Sequence, residues 1–231
     1  MKAIARAVLA TFALLGAGFT CEQSAPTVVG NVVQPTILTL PPAWTPTWDG
    51  KPSPIPGWAL VSGNGVELQL PTSYFGGDPV PRADELTNLV DTLPPYAWLA
   101  DLVRADPAAY ALLAVNPAGG AVVTISVQEV PVDRAMESYI ETWITNASRQ
   151  MPGTTVIEKN TVQFREQSTG RVILELVVQD KSLWQLSYLV RREAQVWTFG
   201  FAAVKEDFYQ TQPVFEQSIQ SMQFLPTEEE D

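Results

Sequence analysis

Three consecutive segments of alternating apolar residues, Arg171 to Gln179, Leu183 to Val190 and Val196 to Ala203, constrain the fold of this chain more than any other feature. The breaks between them are short, Asp180 to Ser182 and Arg191 to Gln195. Parallel neighbours need a crossover of about a dozen residues or more, so these connections dictate an antiparallel meander. Period two predicts one large apolar face: Val172, Leu174, Leu176 and Val178; Trp184, Leu186, Tyr188 and Val190; Trp197, Phe199 and Phe201. The other face is then smaller and more polar, with Glu175, Gln179, Gln185, Ser187, Thr198, Gly200 and Ala202. Such a face is half-solvated, lightly covered by a helix, or the floor of a shallow cleft.

The preceding segments supply partners for this sheet. Trp58 to Val61 and the alternating Val66, Leu68 and Leu70 flank Gly63-Asn64-Gly65, the pattern of a hairpin. Leu86, Leu89, Val90 and Leu93 make one stripe of a short helix ended by Pro94 and Pro95, and a second helix uses Leu99, Leu102 and Val103. Tyr110 to Val115 and Ala121 to Val127 read as strands around Asn116 to Gly120. Asp133 is a candidate N-cap for a helix whose apolar face holds Met136, Ile140, Trp143, Ile144 and Ala147. Short strands are expected at Thr155 to Lys159 and Thr161 to Arg165. A last helix, about Glu206 to Met222, uses Phe208, Phe215 and Ile219, with Pro213 in its first turn or at a kink. The fold class expected is α+β, an antiparallel twisted sheet with helices packed on it. It spans one globular unit at 58–225, followed by an acidic tail at 226–231.

The N-terminal quarter has a different character. Lys2 and Arg6 precede an apolar run from Ala7 to Phe19 that is shorter than the roughly 20 residues a membrane span needs, as in an export signal. Residues 1–20 are read as a signal peptide, and Cys21, the single cysteine, as a lipid-attachment site. Gly18 and Thr20 depart from the lipoprotein pattern, which has Leu and then Gly or Ala there; cleavage without lipid is the alternative. Residues 21–57 form a proline-rich linker containing Pro26, Pro35, Pro41, Pro42, Pro46, Pro52, Pro54 and Pro56. Proline fixes φ and donates no hydrogen bond, so the segment favours an extended chain, reaching on the order of 100 Å at about 3.1 Å per residue. Trp44 and Trp48 are expected to dock on the domain or on a partner.

Composition excludes several function classes. The formal charge is −11, and removal of the signal with its two cations takes it to −13. So acidic a surface repels nucleic acid and anionic headgroups, leaving a lipid on Cys21 as the membrane contact. With no histidine, Ser-His-Asp and Cys-His catalysis and His-based zinc sites are excluded, and one cysteine excludes a CxxC pair. There is no Walker A loop or GxGxxG fingerprint, and no cofactor is expected. Carboxylate chemistry stays open: Glu175, between Leu174 and Leu176, would suit a general acid if desolvated, or else faces outward or pairs with a cation.

The run Pro56-Gly57-Trp58 through Gly65-Val66-Glu67-Leu68-Gln69-Leu70-Pro71 resembles the entry strand pair of the PsbP-like fold. The helix at Met136 to Ala147, the meander at Val172 to Phe201 and the closing Phe215 to Phe224 continue the resemblance. It implies an α/β/α sandwich, a fold shared by extrinsic PsbP proteins of photosystem II, a small Ran-binding import factor and many bacterial lipoproteins. Histidines implicated in some members have no counterpart here, so no family site carries over. The expected role is a membrane-tethered, extracytoplasmic, non-catalytic accessory or protein-binding domain whose partner is a protein of the envelope or an extracytoplasmic complex. A small-solute module binding a sugar or apolar ligand is the alternative, and a carboxylate-based hydrolase a further one. The candidate binding surface combines Tyr96 and Trp98, in a lid from Leu93 to Leu99, with Glu175, Gln185, Ser187 and Thr198.

Overall fold

Turns of two residues connect the meander, and one residue of turn length decides which side chains share a face. In the computed structural model, which describes residues 53–165 and 167–226, the three strands are β7 (Gln167–Val178), β8 (Lys181–Arg192) and β9 (Gln195–Val204). Gln179 and Asp180 alone turn the chain between β7 and β8, with φ of 49° and 62°. Positive φ at both central residues is the type I′ pattern, whose twist matches that of paired strands. Val178 therefore faces Lys181, and Val172 and Leu174 face Ser187 and Gln185.

This corrects the expected face assignment. A three-residue turn at Asp180 to Ser182 would have put Val172, Leu174 and Leu176 beside Trp184 and Leu186; the two-residue turn moves the whole β7 set to the other side, because side chains alternate with a period of two. Both faces of the sheet consequently carry a buried core. One unites Ile173, Trp184, Leu186, Tyr188, Trp197, Phe199 and Phe201; the other unites Val172, Leu174, Leu176, Leu183 and Leu189.

The remaining strands are β1 (Trp58–Ser62), β2 (Val66–Pro71), β3 (Phe75–Gly77), β4 (Leu112–Asn116), β5 (Ala121–Glu129), β6 (Thr155–Phe164) and β10 (Gln223–Phe224). The helices are α1 (Ala83–Asp91), α2 (Ala97–Ala105), α3 (Met136–Gln150) and α4 (Lys205–Ser221). Seven strands form an antiparallel sheet in the order β3-β4-β5-β9-β8-β7-β6, and β1-β2-β10 form a second, smaller sheet. The small sheet and α4, through Val61, Leu68, Leu70, Phe208, Phe215 and Ile219, cover one face of the large sheet. Helices α1, α2 and α3 cover the other, through Leu86, Val90, Leu99, Val103, Ile140 and Ile144. The two sheets touch at Gly63, where an added Cβ would stand 2.2 Å from the Ala111 carbonyl oxygen.

Local signals differ from the sequence reading in three places. Asp133 does not cap α3: the helix starts after Ala135, and no side chain caps its N-terminus. The two short strands expected after Met151 are one strand, β6, whose register shifts at a bulge between Val156 and Glu158. Pro213 lies inside α4, which excludes the first turn, one of the two places expected for it. It removes the N–H that would bond the carbonyl of Tyr209, an exposed residue with solvent at hand. Cys21, Trp44, Trp48 and the acidic end from Thr227 lie outside the described residues.

Candidate functional site

A polar strip runs down the centre of the sheet face that α1, α2 and α3 cover. Strand register builds it in rows: Ser187 lies beside Gly200 and Gly200 beside Thr124; Leu189 lies beside Thr198 and Thr198 beside Ser126. Gln185 occupies the next row, opposite Ala202. Ser187 is fully buried, while Gln185, Thr198, Thr124 and Ser126 are half-buried. The Gln185 amide donates to the Ser187 hydroxyl at 2.9 Å. Gly200 makes room for this arrangement: a Cβ there would lie 2.9 Å from Thr124 Oγ1 and 3.2 Å from Gln185 Nε2. The strip exists because β8 and β9 place small and polar residues where α1 and α2 pack over β4 and β5 and α3 packs over β6 and β7. Tyr139 of α3 stands at its edge, donating to Gln128 Oε1 at 2.9 Å.

Of the residues predicted for a binding surface, the structure brings Gln185, Ser187 and Thr198 together and separates the rest. Tyr96 is buried within the helical layer and donates to the Gly120 carbonyl at 3.0 Å. Half-buried Trp98 donates to the Pro95 carbonyl at 3.1 Å, so its indole closes a local turn. Glu175 sits on the opposite face of the sheet, across from Trp184. There Lys205 donates to its carboxylate at 2.8 Å and the Ser182 hydroxyl donates to the same oxygen. These two bonds, Lys205 first, hold the Glu175 carboxyl below its usual range. That is the reverse of the raised value a general acid requires. Among the described residues, no cluster of three or more His, Cys, Asp or Glu side chains could hold a metal ion.

Sequence reasoning missed a second polar constellation, on the α4 side. Arg171 of β7 donates to Glu216 of α4 through Nη2 at 2.8 Å and to Glu158 of β6 through Nη1. The Tyr188 hydroxyl donates to the other oxygen of Glu216. Burial works against the Arg171 charge, yet the attraction and hydrogen bonds of Glu216, with smaller help from Glu158, outweigh it and raise its pKa. Burial first and the Glu216 charge second push the Tyr188 phenol up. Every acid here has a basic or hydroxyl donor, which suits a fastening between helix and sheet. The signal available beforehand was one arginine in an apolar meander; its partners lie 13 and 45 residues away in the chain.

Tyrosine burial makes a further prediction. Burial pushes Tyr74 up to about 12, opposed in part by a hydrogen bond with Asn116, and also raises Tyr96, Tyr110 and Tyr139. The unfolded phenol ionises near pH 10 while the folded one keeps its proton, so the contribution is intact below pH 10 and lost as pH rises towards 12. Tyr74 alone accounts for roughly 2–3 kcal/mol over that window. Urea midpoints at pH 9 and 11.5 should show the fall, and Tyr74→Phe should flatten part of it.

No protein-family model matches the chain, and no curated protein matches it. Solved structures do. The solution structure of cyanobacterial PsbP (CyanoP) from Synechocystis sp. PCC 6803 superposes with a TM-score of 0.51 at 11% identity, covering 75% of this chain and 95% of that one. A mutant form of the protein Mog1 gives 0.50 at 9% identity, covering 74% and 97%. The Ran-binding protein Mog1p of Saccharomyces cerevisiae gives 0.45 at 8% identity, covering 69% and 90%. Seven antiparallel strands covered on both faces, superposing over most of this chain and nearly all of CyanoP and Mog1, establish that the chain takes the PsbP-like fold.

Proposed function

We propose that this chain is an exported, membrane-tethered domain that works by binding a protein of the bacterial envelope or an extracytoplasmic complex, without catalysis of its own. Cys21 carries the lipid, and the proline-rich linker sets the reach from the membrane. The observation that carries the binding role is the edge of the large sheet, unpaired among the described residues. Strand β6 ends the sheet, is ten residues long and is mostly exposed, whereas β3 at the other end has three residues. An edge of that length offers a row of backbone donors and acceptors to an extended partner segment. The bulge at Val156 and the Lys159 charge disfavour pairing at its first half, leaving Asn160 to Phe164 for a partner strand. The acids best suited to chemistry, Glu175, Glu158 and Glu216, are all engaged by cations.

Cross-linked pull-downs from native membranes test this reading with three proteins. The wild type is expected to retain a specific partner. Thr161→Lys/Gln163→Lys, which charges exposed positions of β6, is expected to retain at least fivefold less. Cys21→Ala is expected to appear folded in the soluble fraction and still bind. No specific partner, or equal capture by the charged-edge variant, would sink the edge-binding role; a Cys21→Ala protein that loses its fold would sink the tether. The Gln185 and Ser187 strip favours a second reading, a small polyol ligand held by hydroxyl and amide groups. For that reading, a concentration-dependent rise in Tm with a saccharide and no partner capture is the expected pair of results.

A further inference from the structure

The middle of the sheet face beneath α1, α2 and α3 has no helix directly over it. Helix α1 packs on β4 and α3 on β6 and β7, and α2 and α3 do not pack on each other. Thr124 and Ser126 of β5, Thr198 and Ala202 of β9 and Gln185 of β8 are therefore half-buried, although they lie at the centre of the sheet. Three contacts show how α3 borders this gap. Tyr139 bonds Gln128, in the strand row of Val196 and Arg191; Ile140 would meet a Cβ on Gly170, in the row of Leu189, at 2.8 Å; Glu141 pairs with Lys159, in the row of Val172 and Ser187. Successive residues of the helix thus meet successive rows of that face, and α3 advances towards Gln185.

Two residues turn a helix by about 200°, so Tyr139 and Glu141 lie on opposite flanks of α3. Glu141 looks to β6, while Tyr139 reaches across the gap to β5 and closes one end of it. Trp143, Asn146 and Gln150 continue the Tyr139 row at helical spacing and are half-buried, so they wall the gap. Its floor is neutral. Between Thr198 and Ala202, a length of about 13 Å, no ionisable side chain of the described residues stands on it. Arg191 and Arg134, at the closed end, are taken up by the carbonyls of Pro131, Val132 and Arg134 and by the Thr142 hydroxyl. Within the described residues nothing bonds the hydroxyls of Thr124 and Ser126 or the Trp143 indole N–H. Gln185 Nε2 and Thr124 Oγ1 converge over Gly200.

We propose that this gap binds a neutral saccharide, with one ring laid on the Trp143 indole and its hydroxyls bonded to Gln185, Thr124 and Ser126. The proposal rests on the second reading above, a polyol on the polar strip, and adds the aromatic wall that selects a ring. A pyranose presents an apolar C–H face and a rim of hydroxyls, so it suits one flat apolar wall beside a floor of groups that both donate and accept. An anion finds no unengaged cation there. An acyl chain would leave Gln185 and the hydroxyls covered and unpaired, which costs affinity. The site lies on the sheet face, apart from the β6 edge, so both can be occupied at once.

Magnetic resonance titrations of the full chain, following side-chain indole and amide signals, test the site with cellobiose, maltose and N,N′-diacetylchitobiose. At least one of these is expected to shift the Trp143 indole and Gln185 amide signals saturably. Trp143→Leu, which keeps apolar volume without a flat face, should weaken that sugar at least tenfold, and Trp143→Tyr should restore it to within threefold of the wild type. Thr161→Lys/Gln163→Lys, on the sheet edge, should leave it unchanged. If Trp143→Leu alters the circular dichroism, Gln185→Ala decides instead, with an expected loss of at least fivefold. No saturable shift from any of the three sugars overturns both the proposal and the polyol reading. Sorbitol, a linear polyol, binding as tightly as the sugars, or sugar binding that survives Trp143→Leu in a folded protein, overturns the ring stacking and leaves the polyol reading standing. Tighter binding of glucuronic acid overturns the neutral class.

Discussion

Phe215→Ala is expected to lower the free energy of unfolding by about 3–5 kcal/mol, the range for truncating a buried phenylalanine. Phe215 is fully buried on the inner side of α4, stacked on Phe201 at 5.1 Å and 6.5 Å from Phe208. Its ring joins the helix to β9 and belongs to the cluster that holds Leu68 and Leu70 of the small sheet. Domains of this class are stable by only about 5–15 kcal/mol, so the loss removes a large part of the margin. In a chain of this size it corresponds to a fall in Tm of roughly 10 °C. Thermal unfolding by circular dichroism measures it. Hydrogen exchange should localise the loosening to α4 and β2 before the central strands β8 and β9. Phe215→Leu, which leaves a smaller void, should recover more than half of the loss; if it is as damaging as alanine, packing volume is not what Phe215 contributes.

Arg171→Ala is expected to cost about 3 kcal/mol, for a different reason. The Arg171 side chain is 13% exposed and its partners Glu216 and Glu158 are 22% and 33% exposed. Removing the cation leaves two carboxylates facing each other in a largely dehydrated place, and breaking a buried pair typically costs about 3–5 kcal/mol, less where a partner reaches solvent. The prediction that separates this mechanism from simple loss of packing is a rescue. Replacing the group together, Arg171→Met with Glu216→Leu and Tyr188→Phe, removes the more deeply buried charges and the hydroxyl that would be stranded, and leaves Glu158, the most exposed of the three, to solvent and the Asn160 amide. It should bring stability back to within about 1 kcal/mol of the wild type. Urea midpoints for the single and triple variants decide it; a triple variant no better than Arg171→Ala would mean that the network contributes net stability of its own.

How much of this was legible beforehand differs by element. The hairpin of β1 and β2, the helix α3 and the three strands of the meander follow from local signals: Gly63 to Gly65 at a turn, an apolar row at helical spacing, and alternation between short breaks. Strands β3 and β10 were not, since three and two residues carry no periodicity and form only because β4 and β2 offer them an edge. The face assignment of β7 failed on turn length, because Gln179 also reads as the end of a strand until its positive φ is known. Glu175 followed β7 to the other face, out of reach of Gln185 and Ser187 and into that of Lys205. Tyr96 and Trp98 looked like a lid in a loop rich in proline. Instead Tyr96 packs inward among Leu86, Val90 and Leu99, while Trp98 closes its own turn.

By itself the sequence determined the class of the fold, the strong net negative charge and the absence of histidine. Composition, spacing and short connections are local quantities, and each acts within a few residues. Only the tertiary structure decided which residues meet: Arg171 with Glu158 and Glu216, Gln185 with Ser187 and Thr124 around Gly200, and Gln69 with the chain that enters over it. Those meetings depend on strand register and sheet order. One residue in a turn changes the parity of register, so it reassigns every side chain of a strand at once.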